Sequence, residues 1–273
     1  MGQGIAIALA AAGRPVTLLA RSPRPVIHPL TLDARPWAAA VGDASIVLIA
    51  TPDDAVEAAA QSLAEEGAVQ AKHAVLHLSG LLDRAALAPL ESTGAALGSF
   101  HPLQTISDPR SAPHRLAGAW AGVEGDPRAR RAGEEVARML GMRAVQLQAA
   151  SKPLYHAAAV IAGNAPAVLA ALAERLAQAA GIAPELAASM YLPLIAGAVE
   201  NLRAAGPAAA LTGPVRRGDV DTVRRHLAAL PAEAIPIYRL LGLEAVALAT
   251  LQGLDSGAAR ALRRLLRPSS PDT

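Results

Sequence analysis

The chain opens on an apolar helix pattern. Gly4–Ala12 is an alanine-rich run entered through a glycine pair, Gly2 and Gly4, and Gly13 ends it. A short β-type run, Val16–Ala20, follows. Ser45–Ala50 (SIVLIA) is apolar on both faces, as a central parallel strand must be when helices cover it on each side. Asp54–Glu66 then reads as a helix, Ala74–Ser79 as a strand, Arg84–Glu91 as a short helix and Ala95–Phe100 as a strand. Trp120–Val123, Pro127–Leu140 and Arg143–Leu147 continue as strand, helix and strand. Alternation at this spacing predicts a mostly parallel sheet covered by helices.

After about Ala149 the strand signals stop. Pro153–Ala180, Pro184–Ala205, Asp219–Leu230, Pro231–Ala249 and Ser256–Leu266 all carry helical patterns. Several have proline in the first turn or glycine just past the end, as at Gly181. The pattern therefore predicts an α/β domain over residues 1–149, an all-α domain over 150–266 and a disordered tail over 267–273. No internal repeat is visible.

Composition narrows the function. A chain of 273 residues that is 52% hydrophobic and 18% charged can bury a substantial core. The net charge is +2 and the basic residues are scattered, which argues against a nucleic-acid partner. With no cysteine there is no disulfide, thiolate nucleophile or cysteine metal site, and no metal-ligand spacing is seen. Ile5–Ala12 lacks the basic residues that precede a secretory leader's apolar region. Ala157–Ala173 is interrupted by Asn164 and Pro166 and runs into Glu174 and Arg175, so it reads as too short and too polar to cross a membrane. The expectation is a cytoplasmic protein. Of 25 basic side chains other than histidine, only Lys72 and Lys152 are lysines, a bias that makes the surviving lysines informative. Lys152, Tyr155 and Asn164 fall within 13 residues of one another, and Phe100, the one phenylalanine, adjoins His101.

In a dinucleotide-binding βαβ unit, a strand leads through G-x-G-x-x-G into a helix, the third glycine letting helix pack on strand. Gly2 fits that third glycine, Gly4–Ala12 the helix and Val16–Ala20 the second strand. The first strand and the first two glycines have no counterpart, so Met1 reads as an internal methionine with about ten residues ahead of it. At the end of the second strand a carboxylate would bind the ribose hydroxyls of NAD. Arg21, Ser22 and Arg24 stand there instead and suit the 2′-phosphate of NADP. Two later strand ends, with Thr51 and Pro52 and with Ser79 and Gly80, are candidates for the same crevice.

Four stretches together resemble a known family: GSFHPLQT (Gly98–Thr105), KPLYHAAAVIAGN (Lys152–Asn164), ALTGPVRRGD (Ala210–Asp219) and TVRRHLAAL (Thr222–Leu230). They are similar to bacterial proteins that join a Rossmann-like domain to the helical domain of unknown function 2520, relatives of ketopantoate, pyrroline-5-carboxylate and F420-dependent NADP reductases. The resemblance implies an α/β Rossmann-like domain, its first strand truncated, followed by an all-α domain like the C-terminal part of 6-phosphogluconate dehydrogenase. It implies an NADP-binding oxidoreductase fold, dimeric through the helical domain, and leaves the substrate open. The leading expectation is an NADP-dependent reductase of a small carbonyl or imine acid, such as a ketopantoate-like 2-oxo acid, with its site between the two domains. By analogy with related hydroxyacid dehydrogenases, Lys152 or His156 is the acid and Asn164 orients the substrate. His101 and Gln104, after a strand, and Thr212 and Gly213, at a helix start, are expected to contact the substrate. Asp219 reads as a helix cap. The competing expectation is a non-catalytic nucleotide sensor or scaffold with a degenerate site.

Overall fold

The computed structural model describes residues 1–20 and 25–268. Contacts divide the chain into two compact units, residues 1–163 and 164 onward. The division falls inside a long helix, whereas the strand signals end near residue 149.

In the first unit α1 (Gly2–Ala11) and α2 (Trp37–Val41) precede β1 (Ile46–Ile49), α3 (Val56–Glu65) and β2 (Ala74–His77). A 3-10 segment (Arg84–Thr93), β3 (Ala96–Leu103), α4 (Ala112–Leu116), β4 (Trp120–Gly125), α5 (Pro127–Met139) and β5 (Arg143–Gln146) follow, and α6 (Lys152–Ala179) leaves the unit. The strands lie in the order β1-β2-β3-β4-β5, parallel except for the antiparallel β3–β4 pair. Both faces of the sheet are covered, as the doubly apolar strands require. Ile5 and Ala8 of α1, Leu116 of α4 and Val136 of α5 pack with Leu76, Phe100 and Val123 on one face. On the other, Val56, Ala60 and Leu63 of α3 join Leu87 and Leu90 against Val75 and Leu97.

Three expectations need correction. Val16–Ala20 forms no strand; its β pairing is one parallel bridge, Leu18 to Leu32. A strand exists by exchanging backbone bonds with a neighbour, and β1, the nearest candidate, is the sheet edge. Between them lies a groove of about 830 Å³, walled by Leu18, Leu19, Ile46, Leu48, Trp37 and Leu63. Second, β3 runs on through His101 and Pro102 rather than ending at Phe100, because β4 pairs with it from Gly98↔Gly125 to Leu103↔Trp120. β2 reaches only as far as Ser99, so the missing N–H of Pro102 costs no ladder bond on a free edge. Third, the helix expected to start at Pro153 starts at Lys152. Lys152 takes helical angles (φ −58°, ψ −41°) after a 3-10 turn, Ala149–Ser151.

The second unit is helical. After the rest of α6 come α7 (Pro184–Met190), α8 (Leu192–Ala210), α9 (Gly213–Arg217), α10 (Val220–Ala229), α11 (Ile235–Leu251) and α12 (Ser256–Leu266). Its core gathers Val215, Val223, Val246 and Leu262. Asp219 caps α10 as expected, its carboxylate accepting from the Thr222 N–H at 3.0 Å. α6 carries Pro166 inside one continuous run of 28 residues. Two segments, Ala149–Ala179 and Ala232–Leu251, are therefore long and apolar enough to cross a membrane by length and composition, which corrects the shorter span read from the sequence. Arg267 and Pro268 follow α12; the rest of the expected tail lies outside the described residues.

Candidate active site

The polar residues of the first unit converge at the carboxyl ends of β1–β3, where open parallel sheets bind their ligands. The register explains the first contact. Ser99 on β3 lies directly opposite Glu124 on the antiparallel β4, so both side chains share a face. The Ser99 hydroxyl donates to Glu124 Oε2 at 3.3 Å. Lys152, in the first turn of α6, donates from Nζ to Ser99 Oγ at 2.6 Å and to the Ser79 carbonyl at 3.3 Å. Lys152 and Ser99 are fully buried, and Glu124 is 4% exposed. Burial pulls the Lys152 ammonium below the ordinary lysine range, with Glu124 opposing that shift. Burial pushes the Glu124 carboxyl up, with Lys152 opposing.

A second group sits beside it. His77 at the end of β2 accepts from the Ser79 N–H at Nδ1 (3.2 Å), which leaves Nε2 to donate to the Asp83 carbonyl (2.9 Å). The Ser79 hydroxyl donates to Asp53 Oδ2 at 2.8 Å and accepts from the Leu81 and Leu82 N–H groups. Ser79 is thus committed within the βα turn. On β3, His101 Nδ1 lies 3.0 Å from the Tyr155 hydroxyl. Its ring makes edge contacts with Tyr155 (5.6 Å) and His156 (5.9 Å). Burial, reinforced by His156 and then Lys152, lowers His101 to about 4, so the ring is neutral near pH 7. Burial raises the Tyr155 phenol, which keeps its proton. With Tyr155 donating to Nδ1, the His101 proton is assigned to Nε2.

Gly80 serves these rings. A Cβ there would come within 2.7 Å of His156 Cδ2 and 2.8 Å of His101 Cε1, so its bareness admits the two imidazoles. Gly122, opposite His101, makes similar room for Tyr155, whose hydroxyl would lie 2.9 Å from an added Cβ.

A cavity of about 180 Å³ opens above this group, lined by Met1, Ala50, Thr51, Asp53, His101 and their neighbours. Gly2 packs where a Cβ would strike Ala50 Cβ at 2.6 Å, so its bareness lets α1 approach the end of β1. Gly4 instead faces Ala112 of α4, at 3.0 Å from an added Cβ. The Thr51 hydroxyl is buried with no partner. An orphaned hydroxyl beside a helix N-terminus fits an anionic group such as a dinucleotide pyrophosphate. Arg21, Ser22 and Arg24 lie outside the described residues.

The other expected residues are accounted for as follows. Gln104 spends its amide on the Arg115 carbonyl and the Thr105 N–H. Asn164 begins the second unit and is exposed. Thr212 and Gly213 also belong to that unit, at the start of the five-residue α9. Ser99, Glu124 and Tyr155 were not expected at the site; Tyr155 alone carried a signal, as a rare residue near Lys152.

Residues 119–245 match the family described as Domain of unknown function (DUF2520). That span contains three of the four motifs behind the resemblance; Gly98–Thr105 lies ahead of it. No curated protein matches the chain. Among solved structures, a protein from Thermotoga maritima is 26% identical at TM-score 0.62, covering 77% of this chain and 80% of its own. Plasmodium falciparum pyrroline carboxylate reductase with NADP bound is 12% identical at TM-score 0.54, covering 98% and 95%. Streptomyces aurantiacus imine reductase is 17% identical at TM-score 0.52, covering 97% and 89%. The fold, a mostly parallel α/β sheet domain followed by a helical region, is the one these reductases share.

Proposed function

We propose that this chain is an NADP-dependent reductase of a small carbonyl or imine acid. The observation that carries the reading is the juxtaposition at the strand ends: a small cavity edged by His101 and the start of α1, over a buried lysine. The N–H groups of α1, the Thr51 hydroxyl and the side chains of Arg21, Ser22 and Arg24 are the groups that would hold the dinucleotide. When bound, it supplies the hydride.

The protein's own part is polarisation and proton supply. His101, neutral and held by Tyr155, donates a hydrogen bond from Nε2 to the substrate oxygen or nitrogen. A neutral imidazole is a poor acid, so it orients and polarises rather than giving up its proton. The proton itself comes from Lys152 or His156. Desolvation lowers Lys152 from the ordinary lysine range, the direction that makes it a readier proton donor. Lys152 is enclosed as the structure stands, so its proton reaches the cavity only with movement around Ser79 and Gly80. That enclosure, with the open groove beside β1, favours the competing reading of a nucleotide-binding protein without hydride chemistry.

One assay separates the two. NADPH consumption is followed with a panel of 2-oxo acids and cyclic imine acids, beginning with ketopantoate-like compounds. The reductase reading expects turnover with NADPH above that with NADH. It expects Lys152→Ala to reduce turnover by about 10²–10⁴ while the variant remains folded and binds NADPH as the parent does. NADPH binding without consumption across the panel selects the sensor. Full activity in stable Lys152→Ala and His156→Ala proteins removes both residues from the chemistry.

A further inference from the structure

We infer that Ser99 and Glu124 are positioning residues that reload Lys152 with a proton. The inference rests on the reductase reading for its purpose, but the geometry stands apart from it. Three buried groups form one hydrogen-bonded line: Lys152 Nζ to Ser99 Oγ at 2.6 Å, and Ser99 Oγ to Glu124 Oε2 at 3.3 Å. A hydroxyl between an amine and a carboxyl donates to one while accepting from the other, so it passes a proton in either direction.

A lysine and a glutamate serving only as a structural ion pair would be expected in direct contact. Here Ser99 stands between them, and no salt bridge joins them among the described residues. The antiparallel register fixes the hydroxyl opposite Glu124, and Lys152 reaches it from α6 across 53 residues of sequence. Both end groups are held away from their ordinary charge preference by burial. The ionised and the neutral pair therefore lie closer in free energy than they would in water.

The step balances without another reactant. After Lys152 has given a proton to the product, its amine nitrogen accepts the Ser99 hydroxyl proton. Ser99 takes a proton from the Glu124 carboxylic acid in the same exchange. Lys152 is again an ammonium, Ser99 again a hydroxyl, and Glu124 a carboxylate, which regains its proton from solvent. The other titratable groups acting on Lys152 are Asp53 and Asp83, which favour its charged form. His77 and His101 feel the lysine's charge from β2 and β3.

The chain's two lysines make the test direct. Protein labelled with [ε-¹³C]lysine gives two side-chain signals, and Lys72→Arg assigns them. Lys72, at the surface beside the Gly42 carbonyl, is the internal reference. Lys152 is expected to titrate below the ordinary lysine range. Glu124→Gln, close to isosteric, should lower its midpoint further by removing the facing carboxylate; Ser99→Ala should do so by removing the linking hydroxyl. In the activity assay, both variants should slow turnover about tenfold or more, leave KM within a factor of about two and shift the pH profile toward acid. Glu124→Asp should recover part of the loss. A Lys152 midpoint unmoved by both variants overturns the relay whatever the activity. So does a shifted midpoint with an unchanged pH profile. A parent inert toward NADPH overturns the reductase reading and with it the relay's catalytic purpose, while the signals still decide whether the three groups are coupled.

Discussion

At His101 one ring bears on stability and, in the proposed reaction, on chemistry. Its protonation costs free energy because the imidazolium would be buried near His156 and Lys152. The sign of the pH effect follows. In the unfolded chain a histidine titrates near 6.5, and in the fold His101 titrates at about 4. Between those values the unfolded state holds the extra proton, so stability is full above the upper value and falls as pH drops toward the lower. A difference of about 2.5 units corresponds to at most about 3 kcal/mol. The melting temperature of the parent should therefore decline on acidification from pH 6.5 to 4. His77 and His73, also held neutral by burial, add to that decline. His101→Gln can still accept from Tyr155 and should flatten the limb by its own share; an acid limb of unchanged slope would remove His101 from this account.

At the scale of elements, the segment 16–20 and the edge strand β1 are the informative pair. Each has a strand's apolar character, yet they face one another across a groove instead of pairing. The free edge of β1 offers N–H and C=O groups spaced for a parallel partner. An apolar five-residue β run ending in Gly-x-Gly, joined ahead of Met1, should fill the groove and lead into α1. Burying several apolar side chains at roughly 1.5–3 kcal/mol each outweighs ordering so short a segment. The melting temperature should rise by about 5–10 °C, the amides of Ile46–Ile49 should become more protected from exchange, and NADPH should bind more tightly. An extension that leaves both melting and exchange unchanged would show that the groove does not take a strand.

Over the whole molecule, the helical unit exposes more apolar surface than a solitary unit needs. Leu192 and Leu194 of α8 are 54% and 70% exposed, and Val199, Leu202 and, on α6, Val168 are exposed with them. We propose a second copy of this chain as the occupant, a homodimer through the helical region. Its apolar helices are matched by an equally apolar partner under two-fold symmetry. Sedimentation at micromolar concentration should give a dimer, and Leu194→Glu should shift it to monomer with the first unit's activity chemistry unaltered. A monomeric parent, or a parent that floats with phospholipid vesicles, would decide against the dimer.

The sequence determined what depends on neighbours in the chain. Apolar runs at Ser45–Ala50 and Ala74–Ser79 announced strands, although the first, expected to be central, is the partly buried sheet edge, and Asp219 announced its helix, because period and capping act within a few residues. The scarcity of lysine drew attention to Lys152, though not to its partners. The tertiary structure alone decided those partners. Ser99 meets Lys152 across 53 positions, Glu124 meets Ser99 across 25, and Tyr155 meets His101 across 54. No local pattern encodes such pairs, since strand register and the docking of the α6 first turn set them. The same dependence explains the opposite fates of two strand-like runs. Ser45–Ala50 became β1 because β2 bonds it, while Val16–Ala20, also strand-like in sequence, forms only the single Leu18–Leu32 bridge because a strand's hydrogen bonds belong to its neighbour as much as to itself.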